Sequence, residues 1–122
     1  MPNPIILIVD DNATNVKLVR DVLQFKGYQP LVAETGEAAL VLAREHRPAL
    51  ILMDVQLPGM SGTEATKILK AAEETGSIPV IALTALAMKG ARENLLAEGF
   101  DAYLSKPIEM KQLLQLIQSH IA

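Results

Sequence analysis

The chain has no cysteine. Disulfide bridges and thiolate metal sites are therefore excluded, and redox chemistry says nothing about the compartment. It has no block of lysine and arginine either: 11 basic residues face 14 acidic ones, for a formal net charge of −3. That balance argues against a nucleic-acid surface. No apolar run approaches the roughly 20 residues that a membrane span needs. The opening MPNPII lacks the basic start and long apolar stretch of a signal peptide. Gly59 and Gly62 flank a turn, but no Gly-x-x-x-x-Gly-Lys phosphate cradle occurs anywhere. Repeats, low-complexity tracts and linkers are missing too. A cytoplasmic location is the expectation.

What is present points to one folded unit. At 122 residues, half of them apolar and a fifth charged, the chain can bury one sizeable core. A single domain over residues 1–122, with no output domain, is expected. Short aliphatic runs at 5–9, 30–33, 50–53, 80–83 and 102–104 suit strands buried on both faces. Helix-period segments separate them. Val16, Val19, Val22 and Leu23 share one face, with Asn12 or Thr14 as the cap. Ala39, Leu40 and Ala43 repeat after Thr35-Gly36. A third segment carries Ala65, Ile68, Leu69 and Ala72 and should end near Gly76. A fourth is expected over 85–98 with Gly99 as its stop, and a last stripe runs from Met110 to Ile121.

Five strands alternating with five helices predict an α/β fold with right-handed crossovers and a doubly wound parallel sheet. Such sheets bind ligands beyond the carboxyl ends of their strands. The residues there are chemically pointed: Asp10 and Asp11 after the first strand, Asp54 after the third, Thr84 after the fourth, and Lys106 after the fifth. Three carboxylates and one lysine leave a pocket near −2, which a divalent cation would neutralise. Oxygen-only ligands favour a hard ion, Mg²⁺ before others, with Mn²⁺ as the alternative. A carboxylate is also a nucleophile towards phosphorus. Phosphoryl transfer needs positioning and charge compensation, which the cation, Lys106 and the Thr84 hydroxyl would supply to Asp54.

Each residue alone has a plainer reading. Asp10 and Asp11 fit the positive end of a helix dipole, Asp54 a loop, Thr84 a helix cap, and Lys106 a solvated lysine. His46 and His120 read as helix-end residues, and the methionines as packing. Their joint placement at successive strand ends separates the acidic cluster from coincidence.

The stretches IVDDNATN, LILMDVQLPGMSG, ALTALAMKG and AYLSKPI resemble, in this order and spacing, the receiver domains of two-component response regulators. The wording is nearest to DivK-like single-domain receivers and hybrid-kinase receivers. The resemblance covers nearly the whole chain. It implies a flavodoxin-like (βα)5 sheet of order 2-1-3-4-5 and phosphorylation of Asp54 by a partner's phosphohistidine. It also implies direct Mg²⁺ ligation by Asp11, Asp54 and the Gln56 carbonyl, with Asp10 acting through water. Thr84 and Lys106 would hold phosphoryl oxygens, Tyr103 would be the switch aromatic, and the Lys106–Pro107 bond would be cis. The partners implied are a sensor histidine kinase or phosphotransfer protein, and a downstream protein on the face formed by the fourth expected helix, fifth strand and last helix. A monomer or weak dimer is expected, with neither nucleic acid nor membrane as partner.

Rival readings remain. An Asp-nucleophile phosphatase would resemble a D-x-D pattern, whereas Val55 and Gln56 follow Asp54. A flavodoxin would have a hydroxyl- and Gly-rich loop where Asp10-Asp11-Asn12 stands. The chain is thus expected to be no enzyme beyond its own phosphotransfer and dephosphorylation. An unphosphorylated interaction module, or a receiver cut from a hybrid kinase, is the alternative. One departure bears on regulation: Leu86, two residues beyond Thr84, is aliphatic where many receivers are polar, which implies a long-lived phosphate.

Overall fold

Short continuous apolar runs explain where the sheet goes. In the computed structural model, which describes residues 4–84 and 97–121, they form β1 (Ile5–Val9), β2 (Gln29–Ala33), β3 (Leu50–Asp54), β4 (Val80–Thr84) and β5 (Ala102–Ser105). All neighbours pair in parallel, in the order β2-β1-β3-β4-β5. The described helices are α1 (Ala13–Phe25), α2 (Gly36–His46), α3 (Gly62–Ala71) and α4 (Met110–Ile121). The α/β class and strand order are those expected. Most of the helix expected over 85–98, with Leu86 and Met88, lies outside the described residues. Among the described residues no helix is long and apolar enough to cross a membrane.

Period two divides the strand side chains between two cores. Leu7, Val9, Ile51 and Met53 pack with Ala39 and Ala43 of α2 and Ala65 and Leu69 of α3. Ile6, Ile8, Leu50 and Leu52 pack with Val19 and Leu23 of α1 and Leu113 and Ile117 of α4. Strands enclosed from both sides must be apolar throughout, which is why β1, β3 and β4 read as continuous runs.

The helix starts are set by short polar side chains. Asn12 accepts from the Asn15 N–H, Thr35 from Ala38 and Ser61 from Glu64, each at 3.1 Å, satisfying donors that the first turn leaves unpaired. The end of α3 differs from expectation, since the helix stops at Ala71 rather than near Gly76. Ala72 is extended, and the Thr75 hydroxyl donates to the Leu69 carbonyl at 2.7 Å. A side chain thus takes an acceptor that continuing helix would have used.

A polar clamp then joins α3 to the entry of β4 and β5. Lys70 Nζ lies 2.8 Å from both the Ile78 carbonyl and Asp101 Oδ2, and Asp101 Oδ2 also accepts from the Val80 N–H at 2.8 Å. Removing Asp101 leaves two donors short of an acceptor, so Asp101→Ala should lower stability by about 1–3 kcal/mol. Asp101→Asn, which keeps a carbonyl oxygen, should lose less. Urea unfolding of both variants checks this, and equal losses would contradict the acceptor role.

Candidate functional site

Register and alternation together deliver the acidic cluster. Val9 pairs with Met53 across β1 and β3. On the α1 side of the sheet, Ile6 and Ile8 lead to Asp10, Leu50 and Leu52 lead to Asp54, and Leu104 leads to Lys106. The parallel ladder runs past the strand ends: Asp10 N–H donates to the Ala33 carbonyl at 3.1 Å, Val55 to Leu83 at 3.0 Å, and Lys106 to Thr84 at 2.7 Å. The main chain at Asp10, Val55, Thr84 and Lys106 is therefore held by the sheet. β5 lies two strand spacings from β3, roughly 10 Å, so only a long side chain at 106 can reach Asp54.

It does reach. Lys106 Nζ lies 2.9 Å from Asp54 Oδ2 and 3.4 Å from Asp10 Oδ2. The second carboxylate oxygens face main chain: Asp54 Oδ1 accepts from the Gln56 N–H at 3.0 Å, and Asp10 Oδ1 from the Asn12 N–H at 2.9 Å. Asp10 is 1% and Asp54 4% exposed, whereas Asp11 is exposed. One oxygen each from Asp10, Asp11 and Asp54 lie within 4.8 Å of one another. Asp10 Oδ2 is buried without a hydrogen bond, since 3.4 Å to the ammonium is an ion pair but too long to be a good bond. A buried oxygen left so, among oxygen-only donors, fits a hard divalent ion.

The electrostatics agree. Burial pushes the Asp54 carboxyl above its ordinary 3.8, and Asp10 adds to this, against the lowering effects of Lys106 and the Gln56 N–H. Burial pulls Lys106 down, but its bond to Asp54 and the charges of Asp10 and Asp54 outweigh that, leaving it above 10.5. The two upward shifts have different origins: loss of solvation dominates at Asp54, whereas the two carboxylates dominate at Lys106.

Asp54 and Thr84 are the last residues of β3 and β4, one position earlier relative to the strand ends than the apolar runs imply. Thr84 is buried. Gln56 sits in the turn after β3. Tyr103 faces away from the acids: half-buried on β5, it packs with the cluster of Phe100, Ala65 and Leu69 on the sheet's other face. The Lys106–Pro107 bond is cis. Gly62, which no chemical motif in the sequence singles out, lies against the main chain of Asp54. Its sequence signals are its place as the last residue of LILMDVQLPGMSG and at a helix start directly after the cap Ser61.

A family model described as the response regulator receiver domain matches residues 6–118. The polar-differentiation response regulator DivK of Brucella anthropi is 50% identical over 116 residues, which is 95% of this chain and 94% of that protein. The receiver domain of a sensor histidine kinase from Pseudomonas aeruginosa, solved with a magnesium ion coordinated in the active-site cleft, superposes with a TM-score of 0.90. It is 37% identical and covers 98% of both chains. The chemotaxis response regulator CheY4 of Vibrio cholerae gives 0.89 at 29% identity, covering 96% of this chain and 98% of that one.

The raised Asp54 pKa has a signed consequence. Folded protein holds this proton more tightly than unfolded chain, so the group's contribution to stability falls as pH rises from 3.8 through the folded value. In metal-free buffer the unfolding free energy of the parent, minus that of Asp54→Asn, should decline over this window. Denaturant titrations across the acid range measure it; a difference that rises with pH would contradict the burial argument.

Proposed function

Because the chain belongs to the response regulator receiver family, we propose that Asp54 accepts a phosphoryl group from a phosphohistidine on a sensor histidine kinase or phosphotransfer protein. The observation that carries this reading is the pairing of Asp54 with Lys106 at 2.9 Å inside a buried acidic cluster. A carboxylate oxygen of Asp54 forms the new O–P bond while the N–P bond of phosphohistidine breaks, and the imidazole nitrogen keeps the electron pair. The chemistry asks the protein for alignment and charge compensation rather than proton abstraction.

Each residue has a part in that. The Lys106 ammonium, now on Asp54, is placed to take a phosphoryl oxygen as charge moves onto the new group. The Thr84 hydroxyl, at the end of the neighbouring strand, is the second donor. Asp10, Asp11, Asp54 and the Gln56 carbonyl form the cation site, Asp10 through water. Mg²⁺, when bound there, would offset the negative charge of carboxylates and phosphoryl oxygens. With all of these residues present, a module that never takes a phosphoryl group has less support. The chain is no enzyme in the usual sense: its chemistry is its own phosphorylation and the loss of that phosphate.

The reading extends to a single cytoplasmic receiver spanning residues 1–122 that signals through protein contacts. Phosphate on Asp54 draws Thr84 inward and the Tyr103 ring follows. That shifts a two-state equilibrium on the face formed by the helix expected over 85–98, β5 and α4. Leu86 beyond Thr84 favours a slow loss of phosphate.

Two tests bear on these assignments. Asp54→Asn should take no label from phosphohistidine or acetyl phosphate while keeping the fold by circular dichroism. A fully labelled variant would remove Asp54 as the acceptor. Losing Asp10, a residue acting through water, should weaken Mg²⁺ binding about 10-fold, and Asp11→Asn should weaken it more than Asp10→Asn. Calorimetric titration decides, and the reverse order would refute the ligand roles.

A further inference from the structure

The start of α3 is seated on the end of the acceptor strand. Gly62, its first residue, is buried, and its N–H donates to the Val55 carbonyl at 3.1 Å. A Cβ at position 62 would overlap the Asp54 carbonyl oxygen and lie 2.9 Å from both the Asp54 carbonyl carbon and Val55 Cα. These are main-chain atoms, so no side-chain rotation relieves the clash. Backbone torsion does not call for this glycine: the described glycines with positive φ are Gly27, Gly59 and Gly99. Closeness does.

The crowded peptide is the one that aims the site. It joins Asp54 to Val55, and one residue later the Gln56 N–H fixes Asp54 Oδ1 at 3.0 Å. We infer that Gly62 is a positioning residue for Asp54. By lacking a side chain it lets α3 lock the Asp54–Gln56 main chain against the sheet, which sets the carboxylate relative to Asp10, Asp11 and Lys106. The inference rests on the cluster being a cation site, as proposed above.

Gly76 supplies a control. A Cβ there would lie 2.9 Å from the Ala72 carbonyl oxygen and 3.0 Å from that of Lys70, equally main chain, but in the turn beyond the far end of α3. Gly62→Ala and Gly76→Ala are compared with the parent by thermal unfolding, Mg²⁺ calorimetry and the metal-free amide spectrum. Gly62→Ala should bind Mg²⁺ about 10-fold more weakly or worse, the scale seen when groups supporting a ligand are disturbed. It should also shift the Gln56 amide resonance without metal. Gly76→Ala should lose stability yet keep both. Unchanged affinity in Gly62→Ala, or an equal loss in Gly76→Ala, overturns the inference.

Should Gly62→Ala not fold, Mg²⁺ titration of the parent decides: the Gly62 amide and Val55 carbonyl resonances should move with the same midpoint as Gln56. Resonances that stay fixed overturn the inference. Where Gly62→Ala folds but the parent binds no Mg²⁺, the cation reading falls instead, and the metal-free Gln56 shift of Gly62→Ala judges Gly62 alone, an unshifted amide overturning the inference.

Discussion

Two buried carboxylates share one lysine, and the far end of the sheet is arranged around that shortage of positive charge. Like charges within 4.8 Å repel by about 3–4 kcal/mol at an effective dielectric of about 20. Against a typical domain stability of about 5–15 kcal/mol, such a cost is not incidental. Lys106 offsets part of it, and main-chain donors from Asn12 and Gln56 offset more. One oxygen of Asp10 still has no hydrogen bond. On the proposed reading a cation would complete the balance, and a phosphoryl group would then bring negative charge to where positive charge is ready to meet it.

The fold makes this arrangement cheap to position. Parallel strands in fixed register bring Asp10, Asp54 and Lys106 to one end and one face of the sheet, and ladder hydrogen bonds continue beneath them. Burial on both sides by α1, α2, α3 and α4 holds the register, since a slip by one residue would exchange the two cores. Rigidity of the sheet is therefore the source of precision at the site. Tyr103 packs on the opposite face of β5; in the proposed function it would carry a change at Thr84 away from the acids and towards a protein surface.

Much of this was legible in the residues. Aliphatic runs marked the strands, and the acids, hydroxyl and lysine stood out by following those runs. The strand order came from resemblance to receivers, because alternation alone leaves the order of parallel strands open. Local competition hid other features. The Thr75 hydroxyl ends α3 early by taking the Leu69 carbonyl, and helix periodicity cannot register that. The hydrogen-bond ladder carries Asp54 and Thr84 into their strands, although their polarity suggested positions beyond the ends. Gly62 looked like a loop glycine, since contact between residues eight apart on a returning loop has no sequence signature.

Everything proposed for the molecule turns on Asp54 as a phosphoryl acceptor served by a cation in the adjoining acidic cluster. A crystal structure of the protein soaked with Mg²⁺ and beryllium fluoride tests it most directly, because the fluoride complex mimics a phosphoryl group on a carboxylate oxygen. Beryllium density is expected on Asp54, with a Mg²⁺ ion held between Asp11, Asp54 and the Gln56 carbonyl, and with Lys106 and Thr84 turned to the fluorides. Beryllium density on Asp10 or Asp11, or an ion away from this cluster, would contradict it.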